Sequence, residues 1–370
     1  SMYKKIGYYD SFKDFSQYIG ISKESSGYKF TLDKIVADED NIIVAMRVYK
    51  PGLNKDNDNY GKVIGNINLR AEIPFFLGLT GGSMESRKLN DDTSLIVLQE
   101  ETSPTKHLPK RFNMRLFVDV NQHTEARFNL SVSREKITDS TTQKKDLGTL
   151  SVGNNHKINI DQLKTTPINT TITYSTDKHT PTSEIFGFYL YDDKGRIYPW
   201  RSDGTDSNGY HKSILDSIDK DAKKIYITPF LQNPPTQQDA DKLRSLDFFN
   251  KTFSLDTTRK FDFGEMGEIN VYKIEKGKTT IRIYYTFKGV NSVLNKSNPI
   301  MLYEKGEAIA YINGANAITN FKLYNPDTNN KSSYCAEFLD VDPNKEYVYS
   351  VKPYSLSSTI DGSTLEVNLK

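Results

Sequence analysis

The stretch Phe30-Thr31-Leu32-Asp33-Lys34-Ile35-Val36-Ala37-Asp38-Glu39-Asp40-Asn41-Ile42-Ile43-Val44-Ala45-Met46-Arg47-Val48 decides the fold. Its apolar residues Phe30, Leu32, Ile35, Ile42, Val44, Met46 and Val48 stand at offsets 0, 2, 5, 12, 14, 16 and 18. Ile269, Val271, Ile274, Ile281, Ile283, Tyr285 and Phe287 repeat every offset. Ile158, Ile160, Leu163, Thr170, Ile172 and Tyr174 repeat six of them, with Thr170 the one polar member. Period-two alternation lines side chains along one face of a strand. Each copy therefore predicts a short strand, a polar turn and a longer antiparallel strand. A hairpin that recurs about every 110 residues predicts successive domains of one kind, not one large enzyme fold.

Further landmarks tie the second and third copies together. Leu190-Tyr191-Asp192-Asp193-Lys194-Gly195-Arg196-Ile197 and Leu302-Tyr303-Glu304-Lys305-Gly306-Glu307-Ala308-Ile309 each read as strand, acidic-Lys-Gly turn, strand. Ile225-Tyr226-Ile227-Thr228-Pro229-Phe230 and Tyr349-Ser350-Val351-Lys352-Pro353-Tyr354 follow, each a strand closed by a proline and an aromatic residue.

The bulk composition bounds the function. A length of 370 residues suits two or three domains. Lys and Arg number 49 against 47 Asp and Glu, a net charge of +2 that gives no long-range attraction to nucleic acid or anionic lipid. The 23 Tyr and 19 Phe suit half-buried strand positions or, alternatively, a sugar-binding face. Cys335 is the only cysteine, so no disulfide forms within the chain; in Tyr334-Cys335-Ala336-Glu337-Phe338 it reads as a small buried thiol. No apolar run is long enough to span a membrane, and no signal peptide opens the chain. Ser1-Met2 reads as a remnant of cleavage, so the missing signal or anchor says nothing about the natural N-terminus.

Along the chain, Phe12, Phe15 and Ile19 predict a short amphipathic helix within residues 5–26. Residues 1–155 form the first expected domain. It has a polar loop from Lys50 to Lys62, strands around Ile67-Leu69, Ser94-Leu98, Met114-Val120 and Phe128-Val132, and two long irregular inserts, Pro74–Asp92 and Glu100–Arg111. Inserts of that length are where a sandwich carries specific function. Residues 156–262 form the second, with a helix near Ala240, Leu243 and Leu246 behind Thr236. Residues 263–370 form the third, closed by a strand over Thr364–Leu369.

Motifs that carry chemistry are sparse. His107, His123, His156, His179 and His211 are widely spaced, and no H-E-x-x-H or G-x-S-x-G occurs. Gly78-Leu79-Thr80-Gly81-Gly82-Ser83 reads as a flexible loop tip, since no Gly-Lys-Ser/Thr follows it. Asn54, Asp56 and Asp58 alternate as in a calcium loop, yet Asn59 and Gly65 stand where that loop needs Gly and Glu. Asp203-Gly204-Thr205-Asp206-Ser207-Asn208-Gly209 also offers oxygen ligands; solvated turns account for both. Trp200 beside that second loop reads as a core residue at a strand end or, if exposed, as a contact site. No catalytic, cofactor or metal residue is assigned from these patterns.

Several stretches together resemble the extracellular region of Gram-positive membrane-anchored anti-sigma factors. They are Phe12-Lys13-Asp14-Phe15-Ser16-Gln17-Tyr18-Ile19-Gly20, Ser25-Ser26-Gly27-Tyr28-Lys29-Phe30-Thr31-Leu32-Asp33-Lys34-Ile35-Val36-Ala37-Asp38, Phe128-Asn129-Leu130-Ser131-Val132, and Ile158-Asn159-Ile160 leading to Thr166-Pro167-Ile168-Asn169-Thr170-Thr171-Ile172. The likeness covers residues 1–230; residues 265–370 look like a further copy. It implies two successive domains of unknown function outside the cell, a membrane helix ahead of residue 3, and a cytosolic segment outside this chain that holds a sigma factor. No catalytic residues carry over. The expected architecture is all-β, tandem immunoglobulin-like antiparallel sandwiches with one or two short helices. The expected role is a non-enzymatic extracellular sensor that meets an envelope ligand or protease and binds no cofactor and no nucleic acid. A surface stalk or adhesin, or a carbohydrate-binding or hydrolytic module, are the alternatives.

Overall fold

The computed structural model describes residues 13–55, 66–152, 156–176, 185–206, 209–232, 237–249, 251–288, 298–306, 317–327, 329–330, 332–351, 358–360 and 362–369. They fall into two compact units, one holding 13–141 with 166–168, the other 142–165 with 169–369. Among the described residues, no helix is long and apolar enough to cross a membrane.

The first unit contains β1 (Gln17–Ser25), β2 (Tyr28–Ala37), β3 (Asn41–Tyr49), β4 (Ile67–Glu72), β5 (Leu79–Asn90), β6 (Thr93–Thr102), β7 (Arg111–Val120), β8 (His123–Ser133) and the one-turn helix α1 (Glu135–Thr138). Its two antiparallel sheets have the orders β1-β2-β3-β6-β5 and β4-β7-β8. With β2 taken as the first strand of the sandwich, this is the four-plus-three order of an immunoglobulin constant-type domain, extended at one edge by β1. Alternation in β7 and β8 sends Phe112, Met114, Leu116, Phe128, Leu130 and Val132 inward, onto the row from Phe30 to Val48.

The expected helix gives way to a strand from Gln17 onward: β1 pairs with β2 from Gln17↔Ile35 to Ser25↔Tyr28. The β-ladder, broken only between Tyr18 and Ile21, pairs backbone groups along an open sheet edge, which two weak helical turns cannot do. Residues 5–12 lie outside the described residues. The insert expected over Pro74–Asp92 is also largely a strand, β5, paired along β6. The glycine run sits within it because Gly82 passes against the Gln99 carbonyl, where a Cβ would collide.

The second unit contains β9 (Thr142–Val152), β10 (His156–Thr165), β11 (Thr170–Thr176), β12 (Ile185–Asp192), β13 (Arg196–Tyr198), β14 (Trp200–Thr205), β15 (Tyr210–Leu215), β16 (Lys224–Gln232), α2 (Gln237–Arg244), β17 (Phe253–Ser254), β18 (Arg259–Asp262), β19 (Glu268–Lys276), β20 (Thr280–Lys288), β21 (Ile300–Glu304), β22 (Phe321–Tyr324), β23 (Ser333–Leu339), β24 (Tyr347–Val351), β25 (Ser358–Ile360) and β26 (Leu365–Asn368). The helix α2 lies where the sequence predicts one.

The strand orders β9-β10-β11-β15-β14 and β18-β19-β20-β23-β22 both reproduce β1-β2-β3-β6-β5 in chain order. The hairpins agree in register as well. Phe30 faces Val48, Leu32 faces Met46 and Ile35 faces Val44. Ile158 faces Thr176, Ile160 faces Tyr174 and Leu163 faces Ile172. Ile269 faces Phe287, Val271 faces Tyr285 and Ile274 faces Ile283. In each hairpin the register shifts at one place: between Leu32 and Lys34, between Ile160 and Gln162, and between Val271 and Lys273. The extra residue at that bulge is Asp33, Asp161 or Tyr272. A bulge restores the inward direction after an odd step, so offsets 2 and 5 both point into the core.

Two sandwiches share the second unit, and they are nested rather than tandem. One core collects Ile158, Ile160, Ile172, Phe188, Leu190, Ile225, Ile227 and Val367. The other collects Ile269, Val271, Ile283, Tyr285, Leu302, Tyr334, Phe338 and Tyr349. The expected boundary near residue 262 does not part them, for two reasons. First, β13 pairs with β22, Arg196↔Tyr324 and Ile197↔Leu323, which fuses two sheets into one of ten strands. Ile197 enters the later core while its neighbour Tyr198 enters the earlier one. Second, β26 pairs with β16, from Lys224↔Asn368 to Ile227↔Leu365, and Val367 packs into the earlier core. The strand expected to close the third domain closes the second. The third sandwich is therefore an insert between β16 and β26, and its own last position beside β24 is filled by β17 from the segment that leads into it.

The proline landmark is explained by the same arrangement. Pro229 does not end β16, which runs on to Gln232. It sits where β26 has stopped pairing at Ile227 and β25 has not begun at Phe230. The missing N–H thus falls in a gap of the ladder.

Candidate functional site

The chain bends sharply after β4 through Ile73-Pro74-Phe75-Phe76-Leu77-Gly78. Ile73 is buried, Phe76 and Leu79 pack on the core of the first unit, and the Phe76 N–H donates to the Ile73 carbonyl at 3.1 Å. The Ser103 N–H donates to the Gly78 carbonyl at 2.7 Å and ties the bend to the neighbouring loop. Held this way, the bend turns Phe75 and Leu77 fully outward, at 107% and 102% of their reference exposure. Phe75 adopts φ +64°, a conformation that strains a bulky side chain. Two large apolar groups held in water forgo about 1.5–3 kcal/mol each relative to burial. Among the described residues the fold gains no packing from either side chain. Beside Pro74, a cleft of about 390 Å³ opens over β7 and β8, lined also by Asn113, Arg115, Asn129 and Ser131.

A second cleft, of about 470 Å³, lies on the outer face of β19, β20 and β23 beside Pro326, Asp327 and Asn330. Tyr272, Tyr284, Asn270, Asp327, Asn330 and Ser333 line it. The two rings stand 6.3 Å apart at 45°. Tyr272, the bulge residue of its hairpin, is 44% exposed, and its hydroxyl lies 3.3 Å from Ser333 Oγ. The Tyr284 hydroxyl donates to Glu275 Oε2 at 2.8 Å, and burial followed by that bond pushes its pKa up to about 12. Lys273 lies over the Tyr284 ring at 4.9 Å and pairs with Glu275 at 2.7 Å.

The most connected polar cluster is structural. Asp192, its side chain fully buried, accepts from the Lys194 and Arg196 N–H groups, from Arg196 Nε at 2.6 Å and from the Tyr198 hydroxyl at 2.8 Å. Arg196 Nη1 reaches Asp219 at 3.1 Å and Asp221 at 2.6 Å. Burial alone pulls the Arg196 pKa down, but the bonds to Asp221 and Asp192 outweigh it and hold the pKa up. Gly195 takes φ +76° to close the turn. This knot fixes the β12–β13 hairpin that joins the two cores.

The residues singled out by the sequence do not converge. His107 Nδ1 lies 3.1 Å from Asp40 Oδ1, and His211 stacks on Tyr174 at 4.9 Å. His179 lies outside the described residues. Among the described residues, no three His, Cys, Asp or Glu side chains are placed to share a metal ion. Asn54 is a buried pin whose amide donates to the Asn90 and Thr93 carbonyls; Asp56 and Asp58 are not described. Asp203 lies in β14 and accepts from Ser213, while Asp206 caps the turn by accepting from the Tyr210 N–H at 3.1 Å. Trp200 begins β14, half-buried. Cys335 is buried, and desolvation pushes its thiol up to about 11. Composition and motif spacing gave no sign of the Phe75–Leu77 tip. The adjacent Pro74 and Gly78 were the only available hint of a bend.

Residues 148–247 match a family of unknown function, DUF5643. The match runs from β9 through α2 and stops before β26, the strand that closes that sandwich. No curated protein matches the chain. A solved structure titled as the conserved domain protein from Bacillus anthracis is similar over 62% of this chain and 82% of its own, at 16% identity and a TM-score of 0.50; that likeness concerns fold alone. A marsupial T cell receptor aligns over 88% of this chain and 95% of its own at 8% identity, with a TM-score of 0.15, which carries no argument.

Proposed function

We propose that this chain is a non-catalytic extracellular regulatory region of a membrane-anchored, anti-sigma-factor-like protein. It acts by contact with another envelope protein, such as a protease that severs the anchor. The observation that carries this reading is the strained tip bearing Phe75 and Leu77, two exposed apolar anchors on a rigid sandwich. The sequence resemblance supports the same reading, and the family matched over residues 148–247 has no assigned function.

The test uses the native full-length protein in its own cell, with a reporter for the sigma factor it holds. The Phe75→Ser/Leu77→Ser double variant should melt like the parent, since neither side chain is buried, and should alter reporter induction under envelope stress by about tenfold. An unchanged induction profile in a correctly folded, membrane-localised variant rejects the reading.

A further inference from the structure

We propose that the cleft around Tyr272 is a saccharide-binding site for a neutral pyranose chain. This goes beyond the regulatory reading and does not depend on it.

The starting observation is the bulge position itself. In the first unit it holds Asp33, buried and gripped by Arg47. In the second sandwich it holds Asp161, whose pKa is raised by burial. Only in the third hairpin does the same backbone feature carry an aromatic side chain, and there the ring is 44% exposed above a cleft. Bulges re-aim side chains, so the backbone needs no further distortion to present the ring. The contact with Ser333 and the neighbouring Tyr284 ring hold its orientation, so little rotamer entropy remains to be lost on binding.

The remaining lining selects the ligand class. A pyranose offers one face of C–H groups for an aromatic ring and an equatorial rim of hydroxyls for polar groups. Asn270 makes no side-chain hydrogen bond among the described residues. Asn330 accepts from the Ser332 N–H at 3.1 Å, which leaves its amide N–H₂ available as a donor. Asp327 accepts from the Asn329 N–H at 3.0 Å through Oδ1, and among the described residues its other oxygen is open to a hydroxyl donor. Among the described lining residues the one cation, Lys273, is committed to Glu275 and to the Tyr284 face, so this lining does not favour an anionic ligand. Its volume, about 470 Å³, accommodates two or three sugar rings lying across an open face.

The test adds chitotetraose, cellotetraose or mannotetraose to the full chain and follows saturation-transfer NMR and calorimetric titration. At least one probe should bind with a millimolar or tighter Kd. Tyr272→Ala should weaken that probe about tenfold without moving the melting transition, and Tyr272→Phe should retain it. Asn330→Ala gives a second reading on the polar rim, with a smaller loss expected. Absence of binding by all three probes at about 10 mM overturns the proposal. So does binding that survives both Tyr272→Ala and Asn330→Ala. Neither result touches the Phe75–Leu77 tip, which lies in the other unit.

Discussion

Asp33 and Arg47 face each other across the first hairpin in a two-point contact, Nε to Oδ2 at 2.7 Å and Nη2 to Oδ1 at 2.6 Å. The Asp33 side chain is 4% exposed and Arg47 is 41% exposed, so the pair is a lid of charge over a buried carboxylate. The residue that the bulge adds is thus locked in place by the strand opposite.

Removing the cation takes two charge-assisted bonds from a buried carboxylate, which costs more than losing an exposed pair. Arg47→Ala should lower the stability of the first unit by about 2–3 kcal/mol. Asp33→Ala/Arg47→Ala together should recover part of the loss. Chemical denaturation of the single and double variants reads both outcomes.

Ile197 is the residue through which one hairpin serves two cores. It lies in β13 but packs with Leu323 in the later core, at 5% exposure. Ile197→Ala should cost about 2–4 kcal/mol. Its effect should register in hydrogen exchange along β19 and β20, which are distant in sequence. Loss confined to β12 and β16 would show that the cores are not joined there.

Ending the chain at Val351 removes β25 and β26. Backbone amides over Ile225–Ile227 should lose protection and the earlier core of the second unit should melt lower, because Val367 leaves it. The inserted sandwich keeps β17 at its own edge and should persist. Native-state hydrogen exchange on the truncated chain distinguishes this from uniform destabilisation.

His211 stacks on Tyr174 inside β11–β15, and burial lowers its pKa below the ordinary 6.5. A histidine depressed in the folded state is protonated first in the unfolded chain as pH falls. Its contribution to stability is complete above about pH 6.5 and is lost below it, levelling off once the folded form also titrates. His211→Phe should remove this part of the pH dependence. Urea midpoints at about pH 7.5 and 5.5 for parent and variant supply the measurement.

The hairpins were legible because seven apolar residues on one face leave an unmistakable spacing, and all of them but Ile274 are buried in the two full copies. The odd step from offset 2 to offset 5 was also present in the sequence. A strict period of two would have turned Ile35, Leu163 and Ile274 outward, so that step is the signature of the bulge. Other features had no local signature. The β13–β22 pairing rests on four residues, Arg196, Ile197, Leu323 and Tyr324, far apart along the chain. The exchange of β26 into the earlier sandwich is likewise a matter of which edge is open, and an alternating strand fits either edge equally well. The far end of the leading helix was misread, since Lys13 and Asp14 are helical but Ile19 suits a helical face and an edge strand alike, and only the exposed edge of β2 decides between them.

The nesting sets a load path. Within the second unit the first strand is β9 and the last is β26, and the end of β9 is bridged at Val152 to Gly362, three residues ahead of β26. Traction between residues 142 and 369 therefore falls first on that sandwich, while the inserted one is joined to it sideways through the β13–β22 pairing. Under such a load the inserted sandwich would keep its shape until β26 was stripped from β16.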